Sequence, residues 1–462
     1  MKAFVERKRK PVDSSAHASK AKQFKLGADD VNKRGSIEVL HPPPQQPPSC
    51  SHGPCLLFER YSARKVELFW ACAVYRDRMK PSVVKEVKAS RPPKRKHLEA
   101  LKRLKRIRKL STSQRQFCRT CARLFTRDQI KEHAGHKTQA GVTKAQLTHP
   151  STLLPTLSEK DKESQYWFST RTLDFLWDLL ASGGFDACLC VGAPRLMEKL
   201  QNAGPNAKSP LDQPIASFLL DLDDRYKELY GPRKFAHYSM FVDHLFDVKL
   251  GNRCLDAFLK KSKKVLIFVD PPFGGLMAPL VHSLASLGQR HARLAPDGER
   301  YAMIVAPYFL EAKIREADPA FHMSDYKVEY ANHKKFTERG SKVGSPIRLF
   351  TALPLSEIKL SQAEGYRHCD SCGYDVAGIA KHCFKCSVCV SKNGEAYRHC
   401  APCGQCVKAN YNHCSTCSHC HLKGGECWVG GRCSVCGAKG HKRLACPDRA
   451  ELLQALLKTE KL

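Results

Sequence analysis

The stretch from Cys369 to Cys446 holds 15 of the chain's 23 cysteines and few aliphatic side chains. A segment so poor in apolar residues cannot bury an ordinary core, so it folds only if something staples it. Disulfides and metal ions are the two available staples. The N-terminal MKAFVERKRK has basic residues with no apolar core behind them, unlike a secretory signal, so export to an oxidising compartment is not expected. That favours metal. No apolar run approaches the roughly 18 residues of a membrane span. The 462 residues carry 77 Lys+Arg against 45 Asp+Glu, a formal net charge of +32. Such a charge points to a polyanionic partner, nucleic acid ahead of an anionic membrane.

Ligand spacing makes the metal reading specific. Cys118-x2-Cys121-x11-His133-x2-His136 is two donor pairs separated by a loop, as a tetrahedral zinc site requires. Cys433-x2-Cys436-x4-His441-x4-Cys446 is a zinc knuckle in a Gly-rich frame. Knuckles hold single-stranded nucleic acid, and Lys439, Lys442 and Arg443 are its phosphate partners. Between these sites His-Cys-x2-Cys-x2-Cys repeats from His382, His399 and His413. One unit has too many donors for one zinc and too few for two, so neighbours must share. The interleaved solution gives Cys369, Cys372, His382 and Cys389; then Cys383, Cys386, His399 and Cys406; then Cys400, Cys403, His413 and Cys420. A fourth set starts with Cys414 and Cys417, closes with Cys427, and needs one more donor such as His421.

This repeat resembles the cysteine-rich domain of DHHC-type palmitoyltransferases. The catalytic tetrapeptide is absent, however: the three places read AKHC, YRHC and YNHC. A zinc scaffold is therefore expected rather than acyl transfer. Near the N-terminus, Cys50-x-His52-Gly53-Pro54 followed by Phe69-Trp70-Ala71-Cys72 resembles a GRF-type zinc finger. That family has one more cysteine soon after the position of Cys72, where this chain has Tyr75 and none before Cys118. Either Cys55 is recruited or the finger is degenerate.

The rest divides by texture. Residues 1–49 mix basic residues with Ser, Pro and Gln and read as a disordered basic arm. The GRF-like finger spans 50–90 and a basic linker 91–112. In the linker, Leu98, Leu101, Leu104, Ile107 and Leu110 recur every three residues, which predicts an amphipathic helix. It is read as a solvated linker, an RNA-backbone contact or a nuclear import signal. The Cys2His2 finger covers 113–140, the cysteine-rich region 366–428, the knuckle 431–448 and a tail 449–462. Over 150–358 helix-like segments such as Thr170–Ser182 alternate with apolar runs at Cys188–Val191, Ser217–Leu222, Val265–Val269, Ala302–Val305 and Ile347–Leu353. This alternation predicts an α/β domain, a mostly parallel Rossmann-like sheet with helices on both faces.

Val265–Val269 runs into Asp270-Pro271-Pro272-Phe273, so a buried strand delivers an acid to its C-terminal end, where open α/β sheets bind ligands. The Asp270 side chain and the Pro271 carbonyl can both accept hydrogen bonds from one exocyclic NH2, and Phe273 offers a face for stacking the same base. The string matches the [D/N]PP[F/Y/W] signature of amino-methyltransferases, whose donor is S-adenosylmethionine. Other candidate donor contacts are the turn at Gly192 with Arg195, Asp221 or Asp223 at the next strand end, Gln165-Tyr166-Trp167-Phe168, and Met240-Phe241.

Taken in order, the GRF-like finger, the Cys2His2 site, VGAPRL, LLDLD, DPPFGGL, SPIRLF, the repeat and the knuckle resemble one family, the CCHC zinc-knuckle ribosomal-RNA N6-adenosine methyltransferases. The resemblance covers about residues 50–447. It implies a nuclear, nucleolar enzyme that methylates one adenosine in large-subunit rRNA; the donor sets counted above give five to seven zincs. In that family the loop after Tyr330 guards the active site; here residues 331–344, basic and Gly-punctuated, read as an autoinhibitory lid, an RNA-contacting loop or a hairpin connection. The rival reading is a non-catalytic zinc-rich RNA-binding protein with a relic methyltransferase domain. Methylation of DNA or of protein glutamine with the same tetrapeptide is a third.

Overall fold

The apolar runs between residues 187 and 351 join, in a computed structural model of the protein, into one eight-stranded sheet. The structure describes residues 36–40, 46–50, 52–62, 65–73, 96–157, 165–202, 215–333, 344–390, 395–415, 418–422, 433, 435–438, 446–449 and 451. The strands are β1 (Ala187–Val191), β2 (Ala216–Asp221), β3 (Phe235–Ser239), β4 (His244–Leu245), β5 (Lys264–Val269), β6 (Glu299–Pro307), β7 (His322–Ser324) and β8 (Ile347–Thr351). Their order across the sheet is β4-β3-β2-β1-β5-β6-β8-β7. The five from β3 to β6 in that order pair in parallel: β3 with β2, β2 with β1, β1 with β5 and β5 with β6. β4, β8 and β7 pair antiparallel.

Side-chain alternation sorts this sheet into two cores. Cys188, Cys190, Leu266 and Phe268 face one side, where helices α1 (Thr170–Ser182) and α2 (Pro194–Asn202) pack through Leu176, Leu180, Leu196 and Leu200. Leu189, Val191, Val265 and Ile267 face the other, against α3 (Val248–Leu259), α4 (Met277–Leu294) and α5 (Glu311–Ala317). A sheet covered on both faces accounts for the continuous apolar strands, every residue of β1 being buried. The predicted helix Thr170–Ser182 forms over those residues, its N-terminus capped by Ser169. The segment just before Met240-Phe241 forms β3 at the edge of the parallel strands. Because β2 and β5 lie on opposite sides of β1, the strand order reverses there and opens a crevice at the C-terminal strand ends.

The basic helix occupies His97–Lys109, but its buried stripe differs from the predicted one. His97, Ala100, Leu104 and Ile107 are buried, whereas Leu98 is 54% exposed. A three-residue repeat drifts around a helix of 3.6 residues per turn, so Leu98 and Ile107 cannot share one face. Nor is this segment a free linker. Arg103 donates from Nε and Nη2 to the two carboxylate oxygens of Glu228, both at 2.6 Å, and the Leu124 amide donates to the same carboxylate at 2.9 Å. The buried Arg115 guanidinium caps the helix C-terminus through the carbonyls of Ile107, Arg108 and Leu110. The Cys2His2 finger, a sheet of Arg123–Thr126, Arg115–Cys118 and Thr138–Ala140, is thereby fixed to the helix and to the segment after β2.

The cysteine-rich region docks through its first hairpin. The Ala377 amide donates to Asp325 at 2.7 Å, the Lys327 amide donates to the Tyr366 hydroxyl at 3.0 Å, and Arg171 bridges Glu329 and Glu364. The expectation of a disordered arm through residue 49 fails at Ser36–Leu40, a strand in a sheet with Leu56–Ser62 and Lys65–Ala71. Its Val39 packs on the central core, which composition averaged over the arm concealed. Residues 1–35, most of the tail and most of the loop 331–344 lie outside the described residues. The knuckle belongs to a second, smaller compact unit and is treated by itself. Among the described residues no helix is long and apolar enough to cross a membrane.

Glu228 is fully buried and joins three segments. Replacing it by alanine strands the Arg103 charge in a half-buried site, so Glu228→Ala is expected to cost about 3–5 kcal/mol in equilibrium denaturation. A loss below about 1 kcal/mol, the value of a surface ion pair, would refute this role.

Candidate active site and metal centres

A cavity of about 340 Å³ opens at the crevice between β1, β2 and β5. Its floor is a close approach of two backbones. Gly192, just after β1, has φ +65°, and a Cβ there would lie 2.9 Å from the Asp270 carbonyl oxygen and 2.7 Å from Met240 Cε. Glycine is required on both counts. The Gly192 amide donates to the Leu220 carbonyl at 2.8 Å and the Asp270 amide to that of Val191 at 3.0 Å, which locks the three strand ends in register.

Asp270 stands at this floor with its side chain largely out of water. Burial pushes its carboxyl up to about 8, against the pull of Tyr330, whose hydroxyl donates to Oδ1 at 2.7 Å. Phe273 stacks on Tyr166 (ring centroids 5.4 Å apart) and meets Tyr330 edge-on at 5.6 Å. His333 lies against both Tyr166 and Phe273. Pro271, Pro272 and the Gly275 turn complete this wall, the Gly275 amide donating to the Pro272 carbonyl at 2.7 Å.

The second wall is acidic. Asp221, at the end of β2, is pushed up to about 7, first by burial and then by the charge of Asp223. Asp223 is ion-paired with Arg225 at 2.7 Å and accepts from Gln165 Nε2 at 3.0 Å. Gln165, Tyr166, Trp167, Gly192, Asp221, Asp223, Met240, Phe241, Asp270, Pro271, Pro272 and Phe273 all line the cavity. Two candidates do not. Phe168 lies behind Tyr330, stacked on it at 5.1 Å. Arg195 is drawn away to Ser151 and Glu198, with its guanidinium over the outer face of the Trp167 ring. The sequence reading missed Tyr330 and Ala73 in the wall. Tyr330 reaches the site because residues 165–169 pair with 329–332: the Ala331 amide donates to the Trp167 carbonyl and the Trp167 amide to Asn332 Oδ1. No local spacing announces a contact of that range.

These residues fit S-adenosylmethionine. The glycine floor leaves room beside Asp270, the paired acids suit vicinal ribose hydroxyls, and the Trp167 indole N–H is buried in the wall without a hydrogen-bond partner, ready for an acceptor such as a carboxylate.

Metal-ligand clusters form at Cys118, Cys121, His133 and His136 and at all three interleaved sets. In each set the ligand atoms lie within 4.8 Å of one another. Tetrahedral zinc at ordinary bond lengths places sulfur about 3.6 Å from nitrogen and about 3.8 Å from sulfur. The observed His382 Nδ1 distances are 3.8 Å to Cys369 and 3.2 Å to Cys372, and Cys389 lies 3.5 Å from Cys369. His399 lies 3.6 Å from Cys383 and 3.2 Å from Cys386, and His413 lies 3.8 Å from Cys400 and 3.1 Å from Cys403. Cys406 and Cys420 close their sets at 3.7 and 3.6 Å from Cys386 and Cys403. The residue after the first Cys-x2-Cys of each module is left-handed: Ala122, Gly373, Ser387, Gly404, Ser418 and Gly437. The same turn thus recurs whether or not glycine is there to ease it. Cys50, His52 and Cys72 form a three-donor cluster. Cys417, Cys427 and His441 lie outside the described residues, so the fourth set is represented by Cys414 and the knuckle by Cys433, Cys436 and Cys446. In the knuckle, burial works against ionisation, but backbone amides of Cys436 and Val435 bring the Cys433 thiol down to about 7.

Fold and cavity together define an α/β methyltransferase, and a family model described as "Probable N6-adenine methyltransferase" matches residues 159–335. The rRNA N(6)-adenosine-methyltransferase ZCCHC4 of Xenopus tropicalis is 38% identical over 445 residues, 91% of this chain and 90% of the relative. The human protein of that name is 38% identical over 448 residues, 90% of this chain and 86% of its own length. The chain belongs to this family of methyltransferases. The non-catalytic alternative falls with that result, since Asp270-Pro271-Pro272-Phe273 is intact and lines an open cavity.

Two outcomes follow from the geometry. An unfolded aspartate titrates near 4, so the folded state, with Asp270 at about 8, holds that proton more tightly. Its stabilising effect is therefore full below about pH 4 and is lost as pH rises towards about 8. Asp270→Asn cannot ionise, so its melting temperature should exceed the wild type's by a margin that widens between about pH 5 and about pH 9; a margin independent of pH would contradict the raised value. Ser387, with φ 51°, pays for a left-handed turn. Ser387→Gly should stabilise the zinc-loaded protein by about 1 kcal/mol, read as slower zinc loss to a chelator; faster loss would show that the serine side chain matters more than the backbone.

Proposed function

We propose that the protein methylates N6 of one adenosine in large-subunit rRNA, using S-adenosylmethionine as donor. The observation that carries this reading is Asp270 and Pro271 at the C-terminal end of β5, lining a cavity floored by Gly192 and walled by Phe273 and Tyr330, whose hydroxyl donates to Asp270. The rRNA activity in the names of the relatives supports the substrate class. When bound, the donor supplies an electrophilic methyl group on a sulfonium. Asp221 or Asp223 takes the ribose hydroxyls, Trp167 the amino-acid end, and Met240 with Phe241 the adenine.

The target adenine enters unstacked from its neighbours. Phe273 stacks on it, and the 6-amino group donates one hydrogen to Asp270 and the other to the Pro271 carbonyl. The amine lone pair of adenine is delocalised into the ring and is weakly nucleophilic. Two acceptors fix its direction and favour a more tetrahedral nitrogen, so the rate arises from positioning and preorganised polarity. Tyr330 holds Oδ1, which leaves the other carboxylate oxygen to the amine. A cationic donor beside Asp270 draws its carboxyl below the value of about 8 that burial sets, favouring the ionised, accepting form.

RNA affinity resides mainly outside the pocket, in the basic helix His97–Lys109 and in the zinc modules, because phosphate neutralisation scales with the number of Lys/Arg contacts. The modules hold five to seven zincs: the Cys2His2 site, the knuckle, the three interleaved sets and up to two more. A large-subunit rRNA substrate is in keeping with a nuclear, nucleolar enzyme.

Asp270→Ala should lower methyl transfer about 10²–10³-fold with zinc content and RNA affinity preserved. Nucleoside mass spectrometry of rRNA from cells relying on this variant should show N6-methyladenosine missing from the large subunit. Wild-type methylation by the purified variant would sink the assignment.

A further inference from the structure

Cys50, His52 and Cys72 bring three donor atoms within 4.8 Å of one another, yet a structural zinc is four-coordinate. The sequence has Tyr75 where GRF-type fingers carry their last cysteine. We infer that Cys55 is the fourth donor and that the finger is a complete Cys3His zinc site closed from the opposite end of its motif.

The chain returns Cys55 to the cluster by a tight turn. Cys50 pairs with Gly53, whose φ of +104° reverses the backbone, and the Cys55 amide donates to the Pro48 carbonyl at 2.7 Å. The Cys55 thiol is thereby brought against that of Cys50 and near Cys72; its sulfur lies outside the 4.8 Å set of Cys50, His52 and Cys72, so zinc must draw it inward to complete the tetrahedron. Cys72 Sγ lies 3.4 Å from His52 Nδ1, a tetrahedral edge like those of the complete sets. The His52 amide donates to Cys50 Sγ at 3.4 Å. The same amide-to-sulfur bond occurs at Cys118 (3.3 Å, from Cys121) and at Cys433 (3.4 Å, from Val435). Such bonds stabilise a thiolate and orient it toward a metal. Cys55 is 2% exposed, so as a donor it seals the inner side of the site from water.

The competing role for Cys55 is that of a small apolar residue leading into Leu56 and Phe58, which pack in the core. Cys55→Val keeps size and apolarity but cannot bind zinc, so it separates the two roles. Zinc per chain should be measured by elemental analysis on the full-length wild type, Cys55→Val, Cys50→Ser and Cys55→Val/Tyr75→Cys. Cys55→Val and Cys50→Ser should each lose about one zinc, and the double variant, with the family's donor restored, should regain it. A full zinc complement in Cys55→Val, or in Cys50→Ser, would overturn the inference. If the valine variant does not fold, alkylation of the wild type during stepwise chelation decides: Cys55 should become reactive together with Cys50 and Cys72. Cys55 staying unreactive after both of those are modified would overturn it too.

Discussion

A carboxyl group taken out of water sets the terms for the centre of this molecule. Asp270 can sit at the end of β5 because aromatic rings and backbone surround it, and those same surroundings push its proton affinity up to about 8. Tyr330 offers the compensating hydrogen bond, which ties the segment after β7 to the chemistry at β5. The glycine turn after β1 must then pass within van der Waals reach of the Asp270 carbonyl, so three strand ends and one aromatic wall are positioned together. A largely desolvated acceptor is well suited to orienting a neutral amine, since a preorganised polar group acts more strongly in a low-dielectric site than in water.

The zinc modules obey a different logic. Their hairpins are a few residues long, and the small apolar clusters they hold are built around the ligand cysteines, as Cys369 and Cys389 are with Val376, Ala377 and Ala380. Metal-donor bonds replace hydrophobic burial as the source of order. The left-handed residue after the first Cys-x2-Cys of each module marks where backbone preference yields to coordination geometry, most clearly at Ala122, Ser387 and Ser418, where no glycine relieves it. Large-domain contacts then orient the modules: Asp325 and Arg171 receive the first cysteine-rich hairpin, and Glu228 receives the basic helix together with the Cys2His2 finger.

What could be read in the sequence was what depends on local spacing. The interleaved ligand sets followed from counting donors, and their geometry places His382, His399 and His413 each with the cysteine pair that precedes it and the last cysteine of its own repeat. Val265–Val269 announced β5 because a strand buried on both faces is uniformly apolar. Long-range matters were not legible. Tyr330 joins Asp270 across 60 residues, and nothing near either marks the other. Arg195 follows the glycine turn as a phosphate-binding or donor-binding arginine would, but a buried Glu198 three residues on captures it. Leu98 shows the limit of periodicity counted by eye: a repeat of three fits a helix only over a short span.

The adjacent pairs His382-Cys383, His399-Cys400 and His413-Cys414 carry a consequence for how the protein responds to scarcity. Within the first two pairs, one residue serves one metal and its neighbour serves the next. A vacant site thus frees one end of the chain segment that its neighbour must hold rigid, and occupancy becomes cooperative along the series, as stability does in a linear array of repeats. A cell short of zinc would then contain a mixture of fully charged and fully relaxed molecules, with few in between. Depletion would alter how many enzymes are competent while leaving the quality of each competent one unchanged.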